Sequence, residues 1–150
     1  MPLTPQDPDF ERRVRESFSR QRVMETFGAR LVRVAAGEVD IELPFREDLT
    51  QQHGFLHAGV VTTVLDSACG YAAFTLMPAD AAVLSIEFKT NLLAPAQGER
   101  LIARARVVRA GRNVTVCQAD GFMVSGGEER AVATLLGTMM TVRGREDVHG

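Results

Sequence analysis

Cysteine, histidine and tryptophan are scarce in this chain of 150 residues, which contains two cysteines, three histidines and no tryptophan. Cys69 and Cys117 form no CxxC pair, and the histidines show no spacing typical of metal ligands. We therefore expect no bound metal, no disulfide framework and a reducing compartment. Both cysteines are expected to be small residues of the core.

An excess of charge of one sign is also absent. The chain has 17 basic and 19 acidic residues, which give a formal net charge of -2 and an isoelectric point near 5.9. Nucleic-acid-binding proteins usually carry a strongly basic face or stripe. No nucleic-acid partner is therefore expected.

No secretory signal is visible at the start of the chain, because residues 1–8 contain no basic region followed by an apolar run. Residues 58–77 are long and apolar enough to suggest a bilayer crossing, but they include Asp66 and Ser67. This polar content, followed by strand-like segments, argues against a membrane span. We expect a cytoplasmic protein without membrane contact.

The length and the 45% hydrophobic content suit one domain with one core. No repeats or low-complexity tracts divide the chain. We place the domain at residues 9–143, between an N-terminal tail at 1–8 and a polar C-terminal tail at 144–150. The C-terminal tail is expected to fray.

Hydrophobic periodicity predicts two helices and six strands. Phe10, Val14 and Phe18 recur every four residues and indicate a first helix with a charged face in solvent. The predicted order is a helix at 9–27, strands at 29–35 and 38–44, a loop at 45–57, a long apolar helix at 58–77, and strands at 83–93, 100–109, 113–124 and 130–142. Short turns join the last strands, which favours an antiparallel meander. The result is an α+β plan, with a curved antiparallel sheet folded round a central helix.

Asp66 is the one charged residue between Ala58 and Met77. Desolvating an unpaired carboxylate costs on the order of several kcal/mol. The group therefore has good partners, lies against a water-filled cleft or takes part in chemistry. A structural carboxylate bonded to a neighbouring backbone or hydroxyl group is the simpler alternative.

Two segments carry a family resemblance when they are combined with this plan of elements. They are QQHGFLHAG at 51–59 and VLDSA at 64–68. In this order and spacing they resemble the hotdog-fold acyl-CoA thioesterases, specifically the phenylacetic-acid-degradation (PaaI-like) group. The resemblance implies a hotdog fold, in which a curved antiparallel sheet of about six strands wraps round the long central helix, with the N-terminal helix as an addition. It also implies hydrolysis of acyl-CoA thioesters.

The resemblance further implies a set of site residues. The family's His-Gly-Gly signature matches His57-Ala58-Gly59, and the family's acidic residue matches Asp66. Alanine replaces the first glycine, and its methyl group narrows the approach of the thioester or marks a subgroup with other substrates. The family's Asn or Gln, fifteen positions before the acid, matches Gln51. The Ser or Thr of the next strand matches Ser85, or alternatively Thr90.

These positions suit thioester cleavage. The first N–H groups of a helix have no intrahelical partner and lie at the positive end of its dipole, so Ala58 and Gly59 are candidates to hold a developing oxyanion. Asp66 would act as a general base on water or attack directly to form an anhydride, with Ser85 positioning the water or the carboxylate. Gln51 would orient the carbonyl group or the water.

His57 is open to three interpretations. It makes a local bond that fixes the turn into the helix, polarises the thioester, or acts as a base; we favour the local bond. A hotdog dehydratase or hydratase would use a catalytic histidine beside an acidic partner, whereas His57 and Asp66 lie far apart along one helix. A non-catalytic acyl-CoA-binding protein of the same fold is the alternative from another class.

Helix geometry bears on how the site is assembled. Asp66 lies eight positions after Ala58, which places the two residues about 12 Å apart along the helix axis. One carbonyl group does not easily bridge that distance. The N-terminus of a neighbouring chain's antiparallel helix would close it, so we predict a site shared across a two-fold homodimer. The resemblance implies dimers that pair into homotetramers.

Substrate recognition is less well defined by the sequence. Arg109, Arg112 and Asn113 surround the turn at Gly111 and are candidate contacts for coenzyme A phosphates. Coenzyme A is part of the substrate, and no separate cofactor is expected. The acyl group is not given by the sequence, but its candidate contacts are the aromatic and aliphatic residues Tyr71, Phe74, Leu84 and Phe88.

Overall fold

The computed structural model describes residues 2–150, which form three α-helices, one short 3-10 helix and six strands. In chain order these elements are α1 (Phe10–Arg20), α2 (Arg22–Phe27), β1 (Arg30–Ala35), β2 (Glu38–Pro44), the 3-10 helix (Glu47–Leu49), α3 (Ala58–Phe74), β3 (Ala82–Leu92), β4 (Arg100–Ala110), β5 (Val114–Ser125) and β6 (Glu128–Val142). Each strand lies within two residues of its predicted bounds. The central helix begins at Ala58, as predicted.

The six strands form one antiparallel sheet in the order β1-β2-β4-β5-β6-β3. The chain between β2 and β3 contains α3, which packs against five strands, from β2 at one side to β3 at the other. β3 lies at an edge of the sheet and pairs with β6, not with β4, so the predicted meander of the last strands is correct for β4, β5 and β6 and wrong for β3. The predicted plan, a curved antiparallel sheet round a central helix with an additional N-terminal helix, is confirmed.

The helix α3 lies in the core because almost its whole surface is apolar. Leu65, Ala68 and Ala72 are fully buried. Gly121 of β5 lies beneath the helix, where an added Cβ would come within 3.2 Å of Cδ1 of Leu65. Small residues thus let the helix and the sheet approach closely. In the described chain, residues 2–150, no helix has both the length and the apolar character that crossing a bilayer requires.

Two helix boundaries differ from the sequence prediction. The helix α3 ends at Phe74, and the N–H of Met77 then donates to the Phe74 carbonyl oxygen at 3.1 Å in a tighter turn. Met77 precedes Pro78, and the residue before a proline is disfavoured in helical conformation. The first predicted helix is divided at Gln21, whose extended backbone (φ -79°, ψ 100°) ends α1 and begins α2.

Arg13 does not belong to a solvated face of α1, although the helical pattern predicts one. Its guanidinium donates to the carbonyl oxygens of Phe74, Met77 and Pro78 at 3.0, 2.9 and 2.7 Å. It also lies 3.2 Å from the carboxylate of Asp7. The last carbonyl groups of a helix have no intrahelical partner, so Arg13 fastens α1 to the C-terminal end of α3.

Candidate active site

The N-terminus of α3 presents a free backbone donor. His57 caps the helix, because its Nδ1 accepts a hydrogen bond from the Gly59 N–H at 2.8 Å. The N–H of His57 itself donates to the Leu49 carbonyl oxygen at 3.0 Å. Within residues 2–150, the Ala58 N–H has no such partner. Of the two candidate oxyanion donors, Ala58 is therefore free, whereas Gly59 is already bonded to the imidazole.

A cleft of about 600 Å³ opens beside this end of the helix. Its walls include Gln51, His57, Ala58 and the loop at 92–96. The side-chain oxygen of Gln51 accepts a hydrogen bond from the backbone N–H of His53, which fixes the loop that carries it. The structure thus brings Gln51 and Ala58 to one cleft, where a carbonyl group could contact both.

Asp66 lies two turns further along α3, in a second cavity of about 140 Å³. The Ser85 hydroxyl donates to Oδ1 of Asp66 at 2.7 Å and lies 3.2 Å from the sulfur of Met139. Thr90, the alternative to Ser85, lies further along β3 opposite Leu135. Burial raises the pKa of Asp66, and the hydrogen bond from Ser85 lowers it. A partly desolvated carboxylate that opens to a cavity is suited to accept a proton.

The helix α1 and Gln21, the residue that follows it, supply a wall of this cavity that the sequence patterns did not indicate. Ser17 and Gln21 both line it. The Gln21 side-chain oxygen accepts a hydrogen bond from the Ser67 hydroxyl at 3.2 Å, and Ser17 Oγ lies 3.3 Å from the Tyr71 hydroxyl. Ser17 and Gln21 are spaced by one turn of the helix predicted at 9–27, but this spacing does not reveal which face of that helix meets α3.

The four candidate acyl contacts divide into two groups. Tyr71 and Phe74 line the cavity at Asp66. Leu84 and Phe88 lie on β3 with 41% and 46% of their surfaces exposed, and they line neither cavity. Within one chain, the four candidate residues therefore do not line a single pocket.

The candidate catalytic residues therefore form two separate half-sites within one chain. Gln51 and Ala58 line the large cleft, whereas Asp66 and Ser85 line the small cavity. The helix between them is regular from Ala58 to Phe74, so the two half-sites are about 12 Å apart. One chain does not hold a single carbonyl carbon between Ala58 and Asp66.

The candidate phosphate contacts lie outside both cavities. Arg109, Arg112 and Asn113 are exposed at the turn between β4 and β5. Adjacent register pairs place Ala110, at this turn, three strands away from Ser85, which corresponds to about 14 Å across the sheet. The turn and the Asp66 cavity thus lie at the same end of the sheet.

The two cysteines offer no reactive thiolate. Both Cys69 and Cys117 are buried and free. Burial raises the pKa of Cys69 and raises that of Cys117 to about 12. A thiol that stays protonated at neutral pH is a poor nucleophile. Among residues 2–150, no group of three or more His, Cys, Asp or Glu side chains is arranged to hold a metal ion.

The chain belongs to the thioesterase superfamily, whose family profile matches residues 53–129. The matched region includes the N-terminus of α3, Asp66 and Ser85. Together with the fold, it places the protein among the hotdog thioesterases, with a fold like that of PaaI.

Similar structures agree with this class. A thioesterase family protein from Silicibacter pomeroyi is 55% identical, with a TM-score of 0.89 over 90% of this chain and 99% of that one. The PaaI protein of the phenylacetic acid degradation operon of Escherichia coli is 16% identical, with a TM-score of 0.81 over 93% of this chain and 97% of that one. At this identity the second likeness concerns the fold alone.

A curated relative also carries an esterase name, although the match covers a smaller part of this chain. A Halobacterium salinarum protein that carries a provisional esterase name is 37% identical over 87 residues, or 55% of this chain. The match spans 57% of that relative's length.

Proposed function

We propose that the protein hydrolyses acyl-CoA thioesters to the free acid and coenzyme A. The observation that carries this proposal is the 2.7 Å hydrogen bond from Ser85 to Asp66, in a cavity that a small ligand can enter. This hydrogen bond holds the Asp66 carboxylate in position. The free N–H of Ala58 supplies an oxyanion donor of the kind that acyl transfer requires.

In the proposed reaction, the Asp66 carboxylate takes a proton from a water molecule as the water oxygen bonds to the thioester carbonyl carbon. The carbonyl oxygen becomes an oxyanion and accepts a hydrogen bond from the N–H of Ala58. Collapse of the tetrahedral intermediate breaks the C–S bond, and the leaving thiolate takes up the proton held by Asp66. Ser85 holds the carboxylate in place, and Gln51 orients the carbonyl group.

Direct attack by Asp66 on the carbonyl carbon is the second route that this geometry permits. It gives a mixed anhydride and free thiolate, and water then cleaves the anhydride. Single turnovers in oxygen-18 water, followed by mass analysis of Asp66, test for the anhydride route, because label enters the Asp66 carboxylate only when water attacks the Asp66 carbonyl carbon of the anhydride.

The two half-sites require a second chain, and the exposed edge strand β3 is the surface that would bind it. Leu84, Ile86 and Phe88 are 41%, 54% and 46% exposed along this strand. An exposed apolar edge also offers unpaired backbone groups to another strand. In the proposed homodimer, two copies of β3 pair about a two-fold axis, and the α3 helices lie antiparallel. Each Ala58 then approaches the Asp66 of the other chain.

Sedimentation of the wild type and Ile86→Glu tests this surface. A charge placed in the centre of the paired edge is expected to yield monomers that have lost most of the activity. Val32→Glu is the matched control, since Val32 is 51% exposed on the opposite edge strand β1. A fully active monomer would contradict the proposed dimer.

Coenzyme A recognition is proposed for Arg109, Arg112 and Asn113. Guanidinium groups bind phosphate through paired, charge-assisted hydrogen bonds. The turn that carries these residues is exposed and lies at the same end of the sheet as Ser85. A substrate whose thioester lies at Asp66 could extend its phosphates toward this turn.

Thiol release from a panel of aryl and aliphatic acyl-CoAs tests the proposed hydrolysis, with the wild type beside Asp66→Asn. The asparagine keeps the size of the side chain but neither accepts the proton nor attacks well. A loss of about a hundredfold or more in kcat is expected. Asp40→Asn is the matched control, because burial also raises the pKa of Asp40, but that residue lines neither half-site.

The same panel contains the result that would overturn the proposal. If the wild type binds acyl-CoA but releases no thiol from any member, the protein is an acyl-CoA binder on a thioesterase fold. If Asp66→Asn retains wild-type turnover, the hydrolysis depends on another group.

A further inference from the structure

The C-terminal segment 144–150 turns back onto the domain instead of extending into solvent as its polar composition predicts. Gly144 has a φ of 69°, a left-handed conformation that glycine adopts without strain. A turn follows, in which the Val148 N–H donates to the Arg145 carbonyl oxygen and the Arg145 side chain pairs with Asp147. This turn redirects the last residues toward α1 and α3.

The end of the segment is fixed in two ways. The Arg20 side chain of α1 donates a hydrogen bond to the Gly150 carbonyl oxygen. Gly150 also lies so close to the domain that an added Cβ would come within 2.5 Å of Cζ of Phe74 and 2.9 Å of the Ala81 carbonyl oxygen. Only a residue without a side chain fits this position against the Phe74 ring.

His149 and Gly150 consequently form part of the wall of the Asp66 cavity. They line it together with Tyr71 and Phe74 of α3. The cavity measures about 140 Å³, which is close to the volume of a cavity that holds one benzene ring. The segment therefore limits the room beside the candidate catalytic carboxylate.

We propose that residues 146–150 form the end wall of the acyl pocket and restrict the protein to small acyl groups. This inference rests on the proposed hydrolysis, because it assigns the cavity at Asp66 to the acyl part of the substrate. Coenzyme A, with its phosphates and pantetheine arm, does not fit a cavity of about 140 Å³.

The test is the acyl-length profile of hydrolysis, measured as kcat/KM for acetyl-, butyryl-, hexanoyl-, octanoyl- and phenylacetyl-CoA. The wild type is compared with a chain that ends at residue 145. Removal of the wall is expected to raise the octanoyl-to-butyryl ratio of kcat/KM by about tenfold or more, since one methylene group in an apolar site already changes specificity by about tenfold.

Arg20→Gln provides a second variant that keeps the full chain and removes the anchor of Gly150. It is expected to move the ratio in the same direction by a smaller factor. Arg22→Ala is its matched control, because Arg22 is an exposed arginine two positions further along. That variant should keep the wild-type profile. A merely structural role of Arg20 would lower kcat/KM for all substrates equally and leave the ratio unchanged.

The experiment distinguishes failure of the proposed hydrolysis from failure of the proposed acyl wall. A wild type that hydrolyses no acyl-CoA overturns the proposed function, and this inference with it. A wild type that hydrolyses butyryl-CoA, together with both variants showing the wild-type octanoyl-to-butyryl ratio, overturns the acyl wall alone. A raised ratio in the shortened chain or in Arg20→Gln, with Arg22→Ala unchanged, supports it.

Discussion

Replacement of Arg13 by alanine is expected to destabilise the fold more than any other change to the surface of α1. The side chain is 14% exposed, and its partner Asp7 is 10% exposed. It donates to three carbonyl oxygens at the end of α3, and its guanidinium carbon lies 4.4 Å from the centre of the Phe74 ring. Breaking a largely buried ion pair by removing one partner typically costs about 3–5 kcal/mol. We expect Arg13→Ala to lose about this amount of the free energy of unfolding.

The neighbouring Arg12 provides the matched control. It also forms ion pairs, with Asp9 at 3.5 Å and Glu16 at 3.1 Å, but its side chain is 65% exposed. An exposed pair contributes about 0–1 kcal/mol, so Arg12→Ala should be nearly neutral. Urea unfolding followed by circular dichroism, at one protein concentration because association stabilises the folded state, measures both. Equal losses for the two variants would refute the role assigned to Arg13.

Three further predictions concern the site itself. Ser85→Ala should move the acid limb of the pH profile of kcat/KM to higher pH, because Asp66 must be ionised to act. Burial raises the pKa of Asp66 above 3.8, and loss of the hydrogen bond from Ser85, which lowers this pKa, raises it further. An acid limb that stays in place or moves to lower pH would contradict the assignment. His57→Ala should lower the free energy of unfolding by about 1 kcal/mol through loss of the helix cap, whereas His57→Asn should keep most of it; thermal unfolding compares the two, and equal stability would contradict the capping role. Arg112→Ala should raise KM for acyl-CoA by about tenfold, the effect of one lost charge-assisted contact, and leave KM for the phosphate-free acyl-pantetheine unchanged; an equal rise for both would exclude the proposed phosphate contact.

The central helix and the unusual position of its carboxylate could be predicted from the sequence. The apolar run after His57 fixes the start of α3, and a single acidic residue in that run marks Asp66 as unusual. The alternation of the strands gives their number and their antiparallel character, but not the position of β3 beside β6. The identification of Ser85 needed the family motif, because spacing alone does not separate it from Thr90.

Contacts between distant parts of the chain could not be predicted from the sequence. Arg13 and Arg20 read as members of a solvated face, because periodicity describes one helix and not the element that packs on it. Their partners lie more than sixty positions away for Arg13 and 130 positions away for Arg20. The return of the polar C-terminal segment to the Asp66 cavity depends on those partners and on Gly144, and it leaves no periodic signal.

The sharing of one active site between two chains is the central claim, and mixed dimers test it most directly. Ala58→Pro removes the proposed oxyanion N–H, yet proline is tolerated at the first position of a helix. The extended backbone of His57 (φ -61°, ψ 140°) already suits a residue that precedes proline. Ala58→Gly keeps the N–H and serves as the control. Ala58→Pro alone should lose about a hundredfold or more in kcat.

The measurement is thiol release after Ala58→Pro and Asp66→Asn chains are refolded together in equal amounts. If each site combines Ala58 of one chain with Asp66 of the other, half of the randomly assembled dimers contain one intact site. The mixture should then regain about a quarter of the wild-type activity. If the mixture stays as inactive as its two components, each site lies within one chain, and the proposed shared site is wrong.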